Sequence, residues 1–319
     1  MSRNQSILAV LGPTASGKTA LSVRLAKHFG GEVVCCDSMQ IYKELLIGTA
    51  RATEEEMAGV PHHLLGFCDP RTPFSCADYV SLARQTVEEM EDRGALPVFC
   101  GGTGLYFDSF LRGTEAYEGT AGDPEIRAAL TRRAEEEGID GIYEELAKAD
   151  AVSAAQIHKN NTRRVIRALE IYLATGKPKS VWDAESKETS SPYRSLPLAI
   201  DFHDRSILHD RIGRRVDRML QAGLWDEVSS LYERGLLPDG STAAQAIGYK
   251  EIIAAIRTGA SVEAAREAII VGTRQYAKRQ LTWFRRTPGI RFLYADDYSD
   301  EEAMARAASE LVTAFLEEE

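Results

Sequence analysis

Eight residues near the start of the chain, Gly12-Pro13-Thr14-Ala15-Ser16-Gly17-Lys18-Thr19, have the types and spacing of a phosphate cradle. Glycines let the backbone turn so that successive N–H groups point inward. A following helix adds the partial positive charge of its N-terminus. Lys18 supplies a full charge, and the Thr19 hydroxyl is the expected Mg²⁺ ligand. Such a loop binds a diphosphate or triphosphate. ATP is compatible with the motif, which by itself does not fix which phosphorylated compound sits there.

Other chemistry-bearing residues occur at places where an α/β sheet would gather them. Asp37 ends an apolar run, Val33-Val34-Cys35-Cys36, and precedes Ser38-Met39-Gln40. A carboxylate there can hold Mg²⁺ indirectly, take a proton from a nucleophile, or cap a turn. Thr103 follows Leu96-Pro97-Val98-Phe99-Cys100 within Gly101-Gly102-Thr103-Gly104, where small residues permit close approach to a ligand or form a structural turn. Arg211, Arg214, Arg215 and Arg218 share an amphipathic stretch with Leu208, Ile212, Val216 and Met219. An arginine from it could neutralise a leaving group. Residues 273–286 carry five basic side chains and no acid, with Trp283 among them. Arg279, Trp283 and Arg286 share one helical face, and Arg274, Lys278 and Arg285 another. Basic groups beside an aromatic ring suit a nucleic-acid backbone with a stacked base, or a solvated helix packed through Trp283.

These residues need elements to carry them. Ile7–Leu11 reads as a buried strand and Ala20–Phe29 as the helix behind the loop. Strands are expected at Val33–Cys36, Leu96–Cys100 and Leu196–Ile200. Helices are expected at Phe74–Arg93, closed by Gly94, and at Glu227–Arg234, closed by Gly235. Strand, phosphate loop, helix and further buried strands define an α/β fold, a P-loop NTPase-like parallel sheet. In such a sheet, ligands collect beyond the carboxyl ends of the strands, which would bring Asp37 and Thr103 to the loop.

Between about 113 and 196 the character changes to polar, helical and strand-poor. Asp123-Pro124 is a helix start, and a second helix runs from Asn161 or Thr162 to about Ala174 before Gly176. Arg163, Arg164 and Arg167 lie near its N-terminus, where the helix dipole favours acids, which suggests an anionic partner, with a solvated face as the alternative. Trp182–Ser191 reads as loop. The expected organisation is a catalytic core of residues 1–113 and 197–319, interrupted by a helical insertion of 114–196.

With 319 residues, 44% hydrophobic and 27% charged, the chain is of ordinary globular composition. No apolar run reaches membrane-spanning length and no signal peptide is visible, so a cytoplasmic protein is expected. The five cysteines show no metal-ligand spacing and read as reduced core residues. Adjacent His62 and His63 point different ways and suit packing or hydrogen bonding better than a shared metal. A net charge of −10 argues against nucleic-acid binding over the whole surface. Residues 296–319 hold nine acids and one arginine, and Met304, Ala308, Leu311 and Phe315 mark a buried stripe on that acidic helix.

The cradle, Asp37-Ser38-x-Gln40-x-Tyr42, Ile47-Gly48-Thr49-Ala50, Gly101 to Tyr106, Gly248-Tyr249 and Lys278-Arg279-Gln280-x-Thr282-Trp283 occur in one order. In this the chain resembles the bacterial tRNA dimethylallyltransferases, from about residue 7 to about 294. The resemblance implies transfer of the dimethylallyl group of dimethylallyl diphosphate to N6 of the adenosine just 3′ of the anticodon (tRNA position 37). The partners would be tRNA and the prenyl donor, with Mg²⁺ as cofactor, and a monomer is expected. By the family's pattern the diphosphate lies on Gly12 to Thr19. Asp37 is the base on the amine, Thr103 is near the bridging oxygen, and Arg215 touches the diphosphate. The stretches implied to touch tRNA are Asp37-Ser38-Met39-Gln40, Arg163-Arg164-Val165-Ile166-Arg167, Gln245-Ala246-Ile247-Gly248-Tyr249-Lys250 and Lys278-Arg279-Gln280-Leu281-Thr282-Trp283-Phe284-Arg285. Cys35-Cys36 replaces the other small residues expected before Asp37. The cysteine spacing carries no zinc module of the kind eukaryotic relatives add. A P-loop small-molecule kinase and a non-catalytic, nucleotide-gated RNA-binding module are the alternatives.

Overall fold

The structure is a computed structural model that describes residues 5–112, 122–188 and 191–318. Its centre is a six-stranded sheet in the order β3-β2-β4-β1-β5-β6, with every neighbouring pair parallel. The strands are β1 (Gln5–Leu11), β2 (Gly31–Cys35), β3 (His62–His63), β4 (Leu96–Gly101), β5 (Tyr193–Asp201) and β6 (Arg291–Tyr294). Parallel strands covered on both faces need unbroken apolar runs rather than alternation. β1 meets that demand, since Ile7 to Leu11 are fully buried. It sits between β4 and β5, with Leu8 level with Val98 on one side and Leu196 on the other. The carboxyl ends of β1, β2 and β4 therefore lie side by side, and the phosphate loop, Asp37 and Gly102 follow directly from them.

One face of the sheet packs on the helix Lys18–Phe29, through Leu21 and Leu25, and on the helix Glu301–Glu317. In the latter, Met304 and Ala308 are buried, Leu311 and Phe315 partly so, and Val312 completes the stripe. A second cluster joins Ile41, Tyr42 and Leu45 to the helices Arg205–Gln221, Leu224–Glu233, Tyr249–Thr258 and Val262–Phe284. The five cysteines are free thiols. His62 Nδ1 lies 2.9 Å from the Val60 carbonyl, and His63 Nε2 lies 2.6 Å from Glu32.

The chain divides into two compact units, 1–108 with 193–319 and 109–192. The boundary expected near 113 falls outside the described residues. In the second unit, Asp123 caps the helix Pro124–Glu137 by accepting from the Glu125 and Ile126 N–H groups at 2.8 and 3.2 Å. Leu130, Ile142, Leu146, Val165 and Leu169 form its core.

Two expectations need correction here. Trp182 and the residues after it, expected as loop, belong to a helix that spans Lys179–Glu188. Serines and charges give this stretch a loop-like composition, yet its Lys, Glu and Ala are good helix formers. Its first turn is anchored because Asp150 accepts from both the N–H and the hydroxyl of Ser180, at 2.9 and 2.6 Å. Lys179 and Asp183 then pair one turn apart. The return to the sheet also begins earlier than expected, at Tyr193, because strand pairing with β1 starts there opposite Gln5.

Candidate active site

The phosphate loop turns tightly at two points, with φ of +65° at Ala15 and +97° at Gly17. Gly17 is the N-cap of the helix that starts at Lys18. Non-glycine residues adopt the left-handed region only under constraint, and here Arg211 supplies one. Its Nε donates to the Ala15 carbonyl at 2.8 Å. The Thr14 N–H donates to Gln280 Oε1 at 3.1 Å. Two donors in this region lack partners among the described residues: Ser16 Oγ and Arg215 Nε are both buried without a hydrogen bond. Unpaired buried donors are costly, and an anion would relieve that cost.

Beside the loop lies a cavity of about 260 Å³ at the carboxyl ends of the strands. Its charged lining consists of Lys18, Arg215, Lys250 and Arg279 against a single carboxylate, Asp37. Met39, Ile212, Val216, Met219, Ile247 and Ile269 line it with hydrocarbon. Burial, then the charge of Arg215, lower the pKa of Lys18. Burial lowers that of Arg215, and Asp37 partly opposes this. Two cations held close and poorly hydrated attract a polyanion strongly.

Asp37 serves two roles. Its Oδ1 accepts from the Met39 and Gln40 N–H groups at 2.9 and 3.4 Å, capping the turn. Its Oδ2 takes no hydrogen bond among the described residues, which leaves one oxygen for a ligand. Tyr276 stands beside it. Burial first, and the Asp37 charge second, push the Tyr276 phenol up. Sequence reasoning misses Tyr276. The available signal is a phenol one position from the apolar stripe of the basic segment, at a spacing that turns it toward the sheet.

Two of the residues expected to contact ligand also bond within the protein. Thr103 does not line the cavity. Its Oγ1 accepts from the Ser38 N–H at 3.0 Å and lies 3.3 Å from Ser38 Oγ, which fixes the turn carrying Asp37. Gln40 lines the cavity, but its amide donates to the Thr49 and Ala50 carbonyls at 3.0 and 3.3 Å. Protein atoms crowd the glycines at and after the end of β4. A Cβ on Gly101 would stand 1.9 Å from the Cys36 carbonyl oxygen, one on Gly102 2.1 Å from Gln280 Nε2, and one on Gly104 2.2 Å from Trp283 Cδ1.

Glu227, which the sequence marks only as a helix start, is a second missed residue. It accepts from the N–H groups of Leu46, Ile47 and Gly48 at 3.2, 2.8 and 3.3 Å, and so holds the loop whose Gly48 and Thr49 border the cavity. The Tyr249 hydroxyl donates to Glu227 at 2.5 Å. Only the fold around it shows that this carboxylate faces a loop about 180 residues away.

The stretches expected to meet tRNA sort by exposure. Lys278, Arg279, Thr282, Trp283 and Arg285 are exposed, whereas Gln280, Leu281 and Phe284 are buried. Trp283 donates from Nε1 to Asp108 at 2.6 Å, which fixes its ring. Gln245, Ile247, Gly248 and Lys250 line the cavity with Ala246, but Tyr249 is fully buried. In the second unit Arg163 and Arg164 are both exposed. Val165 and Ile166 are core, and Arg167 lies 2.9 Å from the buried Glu170. The buried members pack the helices.

Cations around a buried loop, a hydrocarbon wall and one carboxylate oxygen meet in one cavity of a P-loop-like sheet, an arrangement compatible with a transferase. The comparisons with known proteins agree. A family described as IPP transferase matches residues 40–287, and one described as isopentenyl transferase matches residues 5–69. The tRNA dimethylallyltransferase of Bacillus subtilis is 47% identical over 281 residues, 88% of each chain. That of Thermoanaerobacter sp. is 42% identical over 94% of this chain and 95% of its own. Among solved structures, the tRNA isopentenylpyrophosphate transferase of Bacillus halodurans aligns with a TM-score of 0.71 at 39% identity, over 99% of this chain and 98% of its own. A eukaryotic dimethylallyltransferase, captured acting on tRNA, aligns with a TM-score of 0.82 at 28% identity, over 97% of this chain and 80% of its own. The chain belongs to the tRNA dimethylallyltransferase (IPP transferase) family. The kinase and binding-module alternatives gain no support from these relatives.

Proposed function

We propose that this protein transfers the dimethylallyl group of dimethylallyl diphosphate to N6 of the adenosine just 3′ of the anticodon in tRNA. The observation that carries the reading is the cavity lining, where four cations and an apolar wall face one carboxylate. A nucleotide would need a base pocket beyond its phosphates. A short hydrocarbon on a diphosphate needs charge at one end and hydrocarbon at the other, which this cavity offers.

The donor's diphosphate rests on the loop Gly12 to Thr19, with Lys18 and Arg215 taking up its charge as it leaves. The bond from the allylic carbon to the bridging oxygen breaks, and a bond from that carbon to N6 forms. The proton lost from N6 passes to Asp37 Oδ2. An exocyclic amine is a weak nucleophile because its lone pair is delocalised, so a hydrogen-bonded carboxylate helps. Mg²⁺ fits this site through the Thr19 hydroxyl and the donor's own oxygens, since that ion keeps few protein ligands beside phosphates. When bound, it would add charge neutralisation on the leaving group.

The adenine must leave its stack to reach Asp37. Lys278, Arg279 and Arg285, with Trp283 among them, then meet the surrounding RNA, and Arg163, Arg164 and Arg167 of the second unit do likewise. The protein acts as a monomer in the cytoplasm, where tRNA is found. No helix among the described residues is long and apolar enough to cross a membrane.

Incubation with unmodified tRNA and labelled dimethylallyl diphosphate, followed by nucleoside mass spectrometry, tests the reading. The expected product is N6-dimethylallyl adenosine next to the anticodon with release of diphosphate. Phosphate transfer from ATP without prenyl transfer would overturn it.

A further inference from the structure

Gln280 lies on the helix Val262–Phe284, whose outer face carries Lys278, Arg279 and Trp283, yet its own side chain is only 5% exposed. It turns inward and bonds at both ends of its amide. Oε1 accepts from the Thr14 N–H of the phosphate loop at 3.1 Å, and Nε2 donates to the Gly102 carbonyl at 2.9 Å. A Cβ on Gly102 would stand 2.1 Å from Gln280 Nε2, so the close seat of this amide also explains the glycine. Gly104 gives way in the same manner to Trp283. Two successive docking points thus fasten one helix to the loop after β4, and one of them continues to the phosphate loop.

We infer that Gln280 is a positioning residue that links donor and RNA binding: it sets the phosphate loop from a helix whose opposite face meets the tRNA. A carboxamide suits this position, because it must accept from an amide at one end and donate to a carbonyl at the other. Glutamate would lose the donor and set a negative charge against the diphosphate. Methionine would fill the space and lose both bonds. Because one helix bears both contacts, whatever the RNA changes at Arg279 bears on Thr14, and linkage requires the effect to be reciprocal. The link rests on the reading of the cavity as a prenyl-diphosphate and tRNA site, and the experiment below separates the two.

The experiment is calorimetric titration of the full chain with inorganic diphosphate, with and without an unmodified anticodon stem-loop, for the wild type, Gln280→Met and Gln280→Glu. Losing two neutral hydrogen bonds should weaken diphosphate binding by Gln280→Met about three- to tenfold, and Gln280→Glu should be weaker still. In the wild type the stem-loop should change the diphosphate affinity, and in Gln280→Met that change should vanish. Equal effects of the stem-loop on wild type and Gln280→Met, or no effect on the wild type, overturn the inference. A wild type that binds no diphosphate overturns the functional reading instead. Should Gln280→Met fail to fold, Gly102→Ala, which displaces the same amide, must show the same loss of coupling; an unchanged coupling there overturns the link.

Discussion

In the proposed reaction Asp37 and Lys18 carry the chemistry, and each has a consequence that can be measured. Asp37→Asn keeps the acceptor that caps the turn and removes the base. Turnover should fall by about 10²- to 10⁴-fold, the usual worth of a positioned general base, while diphosphate affinity stays near that of the wild type. Single-turnover prenyl transfer beside a binding titration separates the two. Lys18 makes the opposite trade. Burial and Arg215 lower its pKa, so the unfolded chain binds this proton more readily than the folded one. The Lys18 contribution to stability therefore rises as pH climbs through its lowered pKa toward the ordinary lysine range. Lys18→Met should accordingly leave the ligand-free protein at least as stable in thermal unfolding, and abolish the stabilisation that added diphosphate gives the wild type. A Lys18→Met protein still stabilised by diphosphate would remove the lysine from the cradle.

The elements holding these residues are less visible in the sequence than the residues themselves. The phosphate loop, its flanking strand and helix, and Asp37 at a strand end are legible because each follows from local pattern. The glycines at and after the end of β4 are legible as a motif but not as to cause. Their neighbours, Cys36, Gln280 and Trp283, come from elsewhere in the chain, and no local pattern announces a contact across 178 residues between Gly102 and Gln280. Glu227 is hidden for the same reason. Substitutions can grade these interactions. Gly101→Ala meets a backbone carbonyl that cannot step aside, whereas Gly102→Ala meets the end of a side chain. Gly101→Ala should cost stability of about 1–3 kcal/mol, the range of overpacked sites, and more than Gly102→Ala in denaturant unfolding. Glu227→Ala strips an acceptor from three N–H groups and the Tyr249 hydroxyl at once. Leu46 to Gly48 should lose protection in amide hydrogen exchange, and prenyl transfer should slow, while the sheet keeps its protection.

At the scale of the whole molecule, charge is divided by function. The net charge is −10, yet residues 273–286 are basic without an acid and the last helix is acidic. In the proposed function such a distribution repels nucleic acid from most of the surface and admits it at the basic helix. Affinity for tRNA should therefore fall steeply with salt, and Lys278→Ala with Arg279→Ala should lower the slope of log affinity against log salt by about one for each phosphate that is no longer neutralised. An unchanged slope would take this helix out of the interface. The central claim joins the two ends of the cavity: a departing diphosphate on the loop and an amine at Asp37. It is tested most directly by the crystal structure of this protein with a non-hydrolysable dimethylallyl diphosphate analogue and an unmodified anticodon stem-loop. The expected result is the diphosphate on Gly12 to Thr19 and the adenine N6 within about 2.6–3.2 Å of an Asp37 oxygen. A diphosphate bound elsewhere, or an adenine still stacked and out of reach of Asp37, would contradict the account.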